Sequence, residues 1–507
     1  MSSQNNKRVT AWESWEKYRD DENWTIKLPK GGDLPWALFY PADYSIGASN
    51  LGIHYILRGL RERGVAVERF FETPIPFRSV ESDTLLERFP IITAGISYED
   101  GVVSFFKWLH KANIPLNGEK RWEHGYPLIG VGGAMSYINP LIFTGVCDFI
   151  LLGDALDTLD FLVENIRKYM GDGDRKKLLT RLSERDDILV PSVHIEKGYV
   201  INKRKPLTSM KMDAEHPMFS TWTTPRSAFG NSLLLELQRG CARNCKYCTL
   251  PGCFGRMRFR SFETIKEHID ELLNVTQADQ VGLVTPEASD YPDLSALIEY
   301  LEERNVGISF ASLRIDRLTE KMISVLVKGG RHSITLAPET GNDALRFSCG
   351  KKFTNQTVIE KLILAQSLGI DKVKLYFMIG LPNEEDEDIH SISSLCALII
   401  DVTGVNLVLS ISPFVPKPGT PWGKEEFAGV SQIRNKYKLI TSDIKKIKKK
   451  TPQLRLTSPK EAEREYNLAW FGYNESKKMA ENIEKNFSIN KIVSDREAVF
   501  KEFEFLW

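Results

Sequence analysis

The sequence predicts an α/β protein: an N-terminal doubly wound parallel sheet, then a partial (βα)6 TIM-type barrel, then a helical C-terminal segment. Three observations lead there. From Trp36 to about Tyr169, short apolar runs alternate with amphipathic segments at helical spacing, the signature of strand–helix units. From Asn231 a second series gives six such units in about 190 residues. Beyond Trp422 the chain turns charged and amphipathic. With 507 residues, more than one domain is expected. The expected division is an extension (1–35), a first α/β domain (36–172), a linker (173–230), the barrel (231–425) and the C-terminal segment (426–507).

In the first domain, "WALFYPADYSIGASNLG" reads as a strand, a turn-rich loop and a helix starting near Asn50. That helix, "LGIHYILRGLRERG", stops at Gly64. "VAVERFF" and "PIITAGIS" are strands, and "GVVSFFKWLHKANI" is a helix. "PLIGVGGAMSYINP" is a strand entering a double-glycine loop. "CDFILLGDALDTLDFLVENIRKYM" is a strand, a Gly-Asp turn and a helix. Ligands of doubly wound sheets bind at the carboxyl ends of the strands. Four loops lie there: Asp43–Asn50, Ser97–Asp100, Gly132–Asn139 and Gly153–Asp154. In the linker, "ILVPSVHIEKGYVINKRK" suggests a hairpin with a Lys-Gly turn. The barrel strands are "SLLLELQ", "QVGLVTP", "GISFASLRI", "SITLAPE", "KVKLYFMIGLP" and "NLVLSISPFV".

Composition narrows the function classes. Lys+Arg and Asp+Glu both number 67, so nothing in the charge asks for nucleic acid or an acidic membrane. The basic run "SDIKKIKKK" reads as a solvated helix face. The polar N-terminus lacks a signal-peptide core, and no apolar run is long enough to span a membrane. Seven cysteines, scattered except for a trio, make no disulfide framework, so a reducing, cytoplasmic setting is expected.

The trio is Cys241, Cys245 and Cys248 in "LQRGCARNCKYCTLPG", at the carboxyl end of the first barrel strand, where barrel chemistry is done. A structural zinc site closes with four protein ligands. Three thiolates suit a 4Fe–4S cluster with one iron left open. The competing reading is inert buried cysteines, or zinc completed by Cys253 or a distant His. Cys253 itself reads as a small buried residue, and Cys349 and Cys396 as structural.

Cys241-x3-Cys245-x2-Cys248, with Tyr247 before the last cysteine, resembles the cluster motif of the radical SAM superfamily. The resemblance implies a 4Fe–4S cluster whose open iron chelates S-adenosylmethionine, and reductive cleavage to a 5′-deoxyadenosyl radical. Thr285 and Glu287 in "LVTPEASDYPD", which also carries Asp290, stand where such proteins receive the methionine amino group. "ASLRID" puts Ser312 and Arg314 at the third strand end to position SAM, and the Arg314 guanidinium suits its carboxylate. Glu339 in "LAPETG" suits ribose hydroxyls, and Gly380 and Leu381 in "MIGLPNE" suit adenine. Each of these, read alone, is equally a cap or a surface ion pair. "LAPETGNDALR", "SPFVPKPGTP" and the first-domain loops resemble the subgroup with an N-terminal cobalamin-binding domain. The resemblance covers roughly residues 36–425 and implies cobalamin over Ser45, Ser97, Gly132, Gly133 and Gly153. One departure stands out. The Asp-x-His-x-x-Gly motif is absent, and "DYSIGA" puts Ser45 at the histidine place, so this loop offers cobalt no imidazole.

The expectation is therefore an enzyme that methylates an unactivated carbon of a small molecule, lipid or natural-product intermediate. An external reductant such as flavodoxin or ferredoxin would serve it. Rivals are a radical SAM cyclase or rearrangement enzyme, and a non-catalytic cluster-containing sensor or assembly factor. Lys417, in the proline-rich exit from the last strand, is placed to meet substrate. The aromatic run "YNLAWFGY" reads as helix packing.

Overall fold

Leu34 opens a ten-residue strand, β1 (Leu34–Asp43), buried on both faces, as parallel strands covered by helices must be. Trp36, Leu38 and Tyr40 pack on one side of it, and Ala37 and Phe39 on the other. The structure is a computed structural model that describes residues 14–29, 31–196, 199–200 and 219–506. Around β1 lie β2 (Val65–Thr73), β3 (Ile91–Gly95), β4 (Leu128–Gly132), β5 (Phe149–Leu151) and a short β6 (Ile188–Leu189). The order is β2-β1-β3-β4-β5-β6, parallel except for antiparallel β6. The chain reverses its winding between β1 and β3, and the crevice above that point is the expected ligand position.

The first long helix of this unit starts where the sequence caps it. Asn50 accepts from the Gly52 and Ile53 amides at the head of α1 (Leu51–Glu62). Further helices of this unit include α2 (Glu99–Lys111), α3 (Ala134–Ile138) and α4 (Leu159–Asp172). The N-terminal residues belong to this body. Trp15 is fully buried in its core, and Glu22 pairs bidentately with buried Arg69 at 2.7 and 2.8 Å. The linker forms part of a hairpin, Ile195–Glu196 against Tyr199–Val200, whose Lys-Gly turn lies outside the described residues.

The six expected barrel strands are present as β7 (Ser232–Glu236), β8 (Gln280–Val284), β9 (Gly307–Phe310), β10 (Ser333–Glu339), β11 (Lys372–Ile379) and β12 (Asn406–Pro413). All are parallel, but they form two sheets, β7-β8-β9 and β10-β11-β12-β13, without pairing between β9 and β10. The C-terminal segment, expected to be helical, supplies the extra parallel strand β13 (Gln453–Leu456). Its polar–Leu alternation runs for only four residues after a lysine-rich stretch, so the strand signal is weak. α5 (Leu250–Phe254) follows the cysteine loop, and α6 (Gly429–Ile444), α7 (Pro459–Ala469) and α8 (Tyr473–Glu484) complete the chain's later part.

α7 and α8 pack on the first sheet's far core rather than on the barrel alone. Trp470, Phe471 and Met479 are buried there. Asn139 donates to the Ala469 and Phe471 carbonyls at 3.0 and 2.9 Å, and Ser476 donates to the Ile142 carbonyl at 2.6 Å. The aromatic run is thus core, as its pattern suggested. No helix among the described residues is long and apolar enough to cross a membrane.

Candidate functional site

The cysteine loop begins with a turn that needs glycine. Gly240 has φ +74°, and a Cβ there would lie 2.6 Å from the Arg256 carbonyl oxygen. The loop is then held from both sides: the Lys246 amide donates to the Cys349 carbonyl at 3.0 Å, and the Trp422 amide donates to the Lys246 carbonyl at 2.9 Å. Cys241, Cys245 and Cys248 are half-buried, whereas Cys147, Cys253, Cys349 and Cys396 are buried. Burial raises the Cys241 and Cys248 thiols above their ordinary range. Unliganded they are poor nucleophiles, and a metal must displace their protons. Among the described residues no three His, Cys, Asp or Glu side chains converge as for a single metal ion. Three thiols on one loop suit a cluster that gives each sulfur its own iron.

Around this loop the strand ends bring most of the expected residues together. Glu339 is placed by two irregularities. The register of β10 on β11 breaks between Leu336 and Glu339, and Glu339 itself has φ +67°. That left-handed conformation costs a side-chain-bearing residue about 1–3 kcal/mol. It aims the carboxylate at the cysteine loop, where the Tyr247 hydroxyl donates to it at 2.7 Å and the Lys351 ammonium pairs with it. Thr285 accepts from the Glu287 amide at 3.2 Å. The Glu287 carboxylate is 1% exposed; one oxygen accepts from Ser289, and the other is buried without a partner. Burial raises its pKa. A buried carboxylate oxygen with no donor beside the cysteine loop fits an incoming ammonium. Asp290 instead pairs with Arg243 of the loop itself.

Other residues are engaged differently from the expectation. Arg314 lies near Cys245 and Glu287, but its fork holds Asp316 at 2.9 and 3.2 Å. Ser312 is part-exposed beside it at the end of β9. The Gly380 amide, suggested for adenine, donates to Glu384 at 2.7 Å, while Leu381 packs in the apolar cluster with Tyr247, Phe414 and Trp422. Lys417 does not face a substrate space. It is held by Glu99 of α2 at 2.5 Å and Glu465 of α7 at 2.6 Å, and so ties the barrel exit to the first domain and the C-terminal segment.

A cavity of about 310 Å³ opens at the winding reversal of the first sheet. Ser97, Gly132, Gly133 and Gly153 line it, with Tyr40 and Asn50 beside them and Leu38, Leu60, Phe149 and Leu162 in its depth. Gly133 has φ +98°, and a Cβ there would lie 2.7 Å from the Ile96 carbonyl oxygen. Ser45 is not in the lining; its carbonyl accepts from the Ala228 amide at 3.0 Å. What sequence reasoning missed is the far wall. Glu236, Arg239, Phe254 and Arg258, all flanking the cysteines, close the cavity from the barrel side. Arg239 reaches across to Asp154 while holding Glu236 at 2.8 Å. The doublet Gly153–Asp154 was visible, but nothing in the local sequence pairs it with an arginine 85 residues later.

Residues 235–396 match the model of the radical SAM superfamily, and residues 65–191 match that of radical SAM proteins, N-terminal. An uncharacterized protein of Methanocaldococcus jannaschii is 27% identical over 79% of this chain and 82% of its own. A ribosomal protein uS12 methylthiotransferase of Pseudothermotoga lettingae is 24% identical over 35% of this chain, which spans under half of it (44%). The structure of the radical S-adenosylmethionine methyltransferase TsrM from Kitasatospora setae superposes with a TM-score of 0.51 at 12% identity, covering 78% of this chain and 76% of that one. The cobalamin-dependent S-adenosylmethionine radical enzyme OxsB gives 0.52 at 18% identity over 72% of this chain, which spans about half (52%) of that one. With both family models matched and the two-domain fold shared, the chain belongs to the radical SAM superfamily, whose cofactors are a 4Fe–4S cluster and S-adenosylmethionine, and ahead of its barrel it carries a domain of the fold those two neighbours share.

Proposed function

We propose that the chain is a cobalamin-dependent radical SAM methyltransferase acting on an unactivated carbon of a small molecule, lipid or natural-product intermediate. One observation carries this reading: the cavity of the first domain is walled by Glu236 and Arg239, and Arg239 stands two residues before Cys241. A ligand in that cavity would face the cluster loop directly. The radical SAM neighbours named above, one a methyltransferase and one cobalamin-dependent, support it.

Cys241, Cys245 and Cys248 would hold the cluster. Glu287 would receive the methionine ammonium on its unpartnered oxygen, and Glu339, fixed by Lys351 and Tyr247, the ribose hydroxyls. The depth of the cavity, apolar and near the lower end of ligand-pocket volumes (about 300–1,000 Å³), suits the flat base of a cobalamin tail. The corrin would then lie over the mouth at Gly132, Gly133 and Gly153. Bound there, the cluster with SAM supplies a hydrogen-abstracting radical, and cobalamin a transferable methyl group. The protein's part is orientation and exclusion of water, which the apolar wall of Leu345, Leu381, Phe414 and Trp422 around Tyr247 performs.

Anaerobic purification with cobalamin supplied, then absorption and mass spectrometry of the bound cofactors, tests this. Stoichiometric cobalamin with a 4Fe–4S cluster is the expected result. A loaded cluster without cobalamin would sink the methyltransferase reading. Release of 5′-deoxyadenosine without S-adenosylhomocysteine, once substrate is known, would favour rearrangement or cyclisation.

A further inference from the structure

The inner face of the second barrel sheet is polar and cationic. Along β11, Val373, Leu375, Phe377 and Ile379 belong to the core formed with the surrounding helices. The alternate residues Lys372, Lys374, Tyr376 and Met378 therefore point into the lumen. Register carries that face across the sheet. Tyr376 is level with Ser410 of β12, which is level with Arg455 of β13; Lys374 is level with Thr335 of β10 and, through Val408, with Gln453. Bulky branched residues normally fill the interior of a closed (βα)8 barrel. Here hydroxyls, an amide and cations join Val408 and Met378 on that face, and Tyr376 is 39% exposed.

The charges are one-sided. Among the described residues, Lys372, Lys374 and Arg455 have no carboxylate partner; the one polar contact of Lys374 is the Tyr376 hydroxyl at 2.7 Å, with its ammonium 4.4 Å from that ring's centroid. At the lumen rim Glu236 is neutralised by Arg239 and Arg260 and Glu339 by Lys351, while Glu287, on the other sheet's side at the end of β8, keeps an unpartnered oxygen. Depth is fixed as well. Met378 packs in the cluster that contains Tyr247, the neighbour of Cys248. At a strand rise of about 3.3 Å per residue, Tyr376 lies about 7 Å and Lys374 about 13 Å below it. Tyr376 and Arg455 flank Ser410 from the two adjacent strands, Lys374 sits two residues lower beside Val408, and the Lys374 and Arg455 side chains are long enough to converge near Ser410.

We propose that this face binds an anionic group of the substrate, a carboxylate or a phosphate, through Lys374 and Arg455, with the Tyr376 and Ser410 hydroxyls as further donors. This rests on the radical SAM reading only in calling the ligand the substrate. The anion would anchor the molecule deep in the lumen and leave its far end beneath the cysteine loop. Hydrogen bonds from two cations to one anion are of the strong, charge-assisted kind, and planar guanidinium favours a bidentate oxyanion.

The experiment uses cluster-loaded full-length protein and three probes of similar size: phenyl phosphate, benzoate and neutral benzamide. Binding is measured by calorimetry at low ionic strength for wild type, for the double variant Lys374→Met/Arg455→Met and for Lys374→Arg. At least one anionic probe should bind wild type about tenfold or more tighter than benzamide, from the loss expected when charge-assisted bonds are absent, and whichever anion wins names the head group. The double variant should lose that preference, and Lys374→Arg should keep it. Equal binding of all three probes to wild type, or undiminished anion binding by a double variant with wild-type circular dichroism, would overturn the proposal. Reductive SAM cleavage by the same wild-type preparation is read in parallel. Its absence would remove the radical SAM mechanism and leave an anion site standing; cleavage without anion preference would remove the anion site alone.

Discussion

Glu287 is the residue on which SAM binding should turn. Its carboxylate is buried, one oxygen has no partner, and desolvation raises its pKa. Below the raised value the group is neutral and cannot pair with an ammonium; above it the anion is available. SAM affinity should therefore tighten as pH rises from the ordinary carboxyl range through that raised value. The folded state meanwhile loses some stability over the same window, because it holds the proton more tightly than the unfolded chain does. Equilibrium binding of SAM to the cluster-loaded protein between about pH 5 and 7 checks this, with reference carboxyl values near 4.3. In Glu287→Gln the profile should flatten and affinity at pH 7 fall about tenfold, the scale of one charge-assisted hydrogen bond (about 1.5–3 kcal/mol). A wild-type profile flat across the window would remove Glu287 from the ammonium site. Gly133 makes a second residue-scale prediction. With φ +98° and the Ile96 backbone against its Cβ position, Gly133→Ala should destabilise the fold by about 1–3 kcal/mol, the usual cost of such strain. Urea unfolding reads the loss, and cobalamin uptake should fall with it.

Elements show best what the sequence could and could not announce. Apolar strands and the helices between them were readable, because period and caps are local: Asn50 heads α1, and Ser261 caps the helix Phe262–Thr276. β13 was not, since its strand character comes from pairing with β12 rather than from its own residues. The cysteine trio declared itself by spacing. The partners of Glu339, Arg239 and Lys417 did not, because each is brought in by a distant segment. Lys417 is the clearest instance. In sequence it ends a proline-rich strand exit and looks free. Folded, it is buried between Glu99, with a 7% exposed side chain, and Glu465, 45% exposed. Lys417→Met would strand the Glu99 carboxylate, and breaking one side of a buried pair costs about 3–5 kcal/mol. The Glu465 side is wetter, so the loss should sit near the lower end. Chemical denaturation should report it, and Glu99→Gln should recover part of the loss when combined with Lys417→Met. Equal stability of wild type and the single variant would show that the cluster does not tie the three segments together.

Across the whole molecule, the two domains meet at the Lys417–Glu99 pair, at an apolar patch of Leu51, Tyr55 and Leu234, and at a short polar bridge over the first-domain cavity. Arg239 leaves the barrel strand, holds Glu236 on its own side and reaches Asp154 on the other. Glu236 keeps Arg260 at 2.6 Å if Arg239 is lost, so the barrel side survives the change. Asp154, on a loop at the cavity mouth, loses its cation. The consequence should fall on the first domain and leave the cysteine loop intact. Arg239→Met is therefore expected to retain wild-type iron and sulfide content while binding cobalamin more weakly. Asp154→Asn should do the same. Because both changes remove one interaction, their effects should not add. A double-mutant cycle on cobalamin affinity should return a coupling of about 0.5–3 kcal/mol, the range for residues in direct contact. Additive effects would mean that Arg239 and Asp154 act on the cavity separately. Loss of iron in Arg239→Met would mean that the bridge shapes the cysteine loop as well, and the first domain would then set the geometry of both sites.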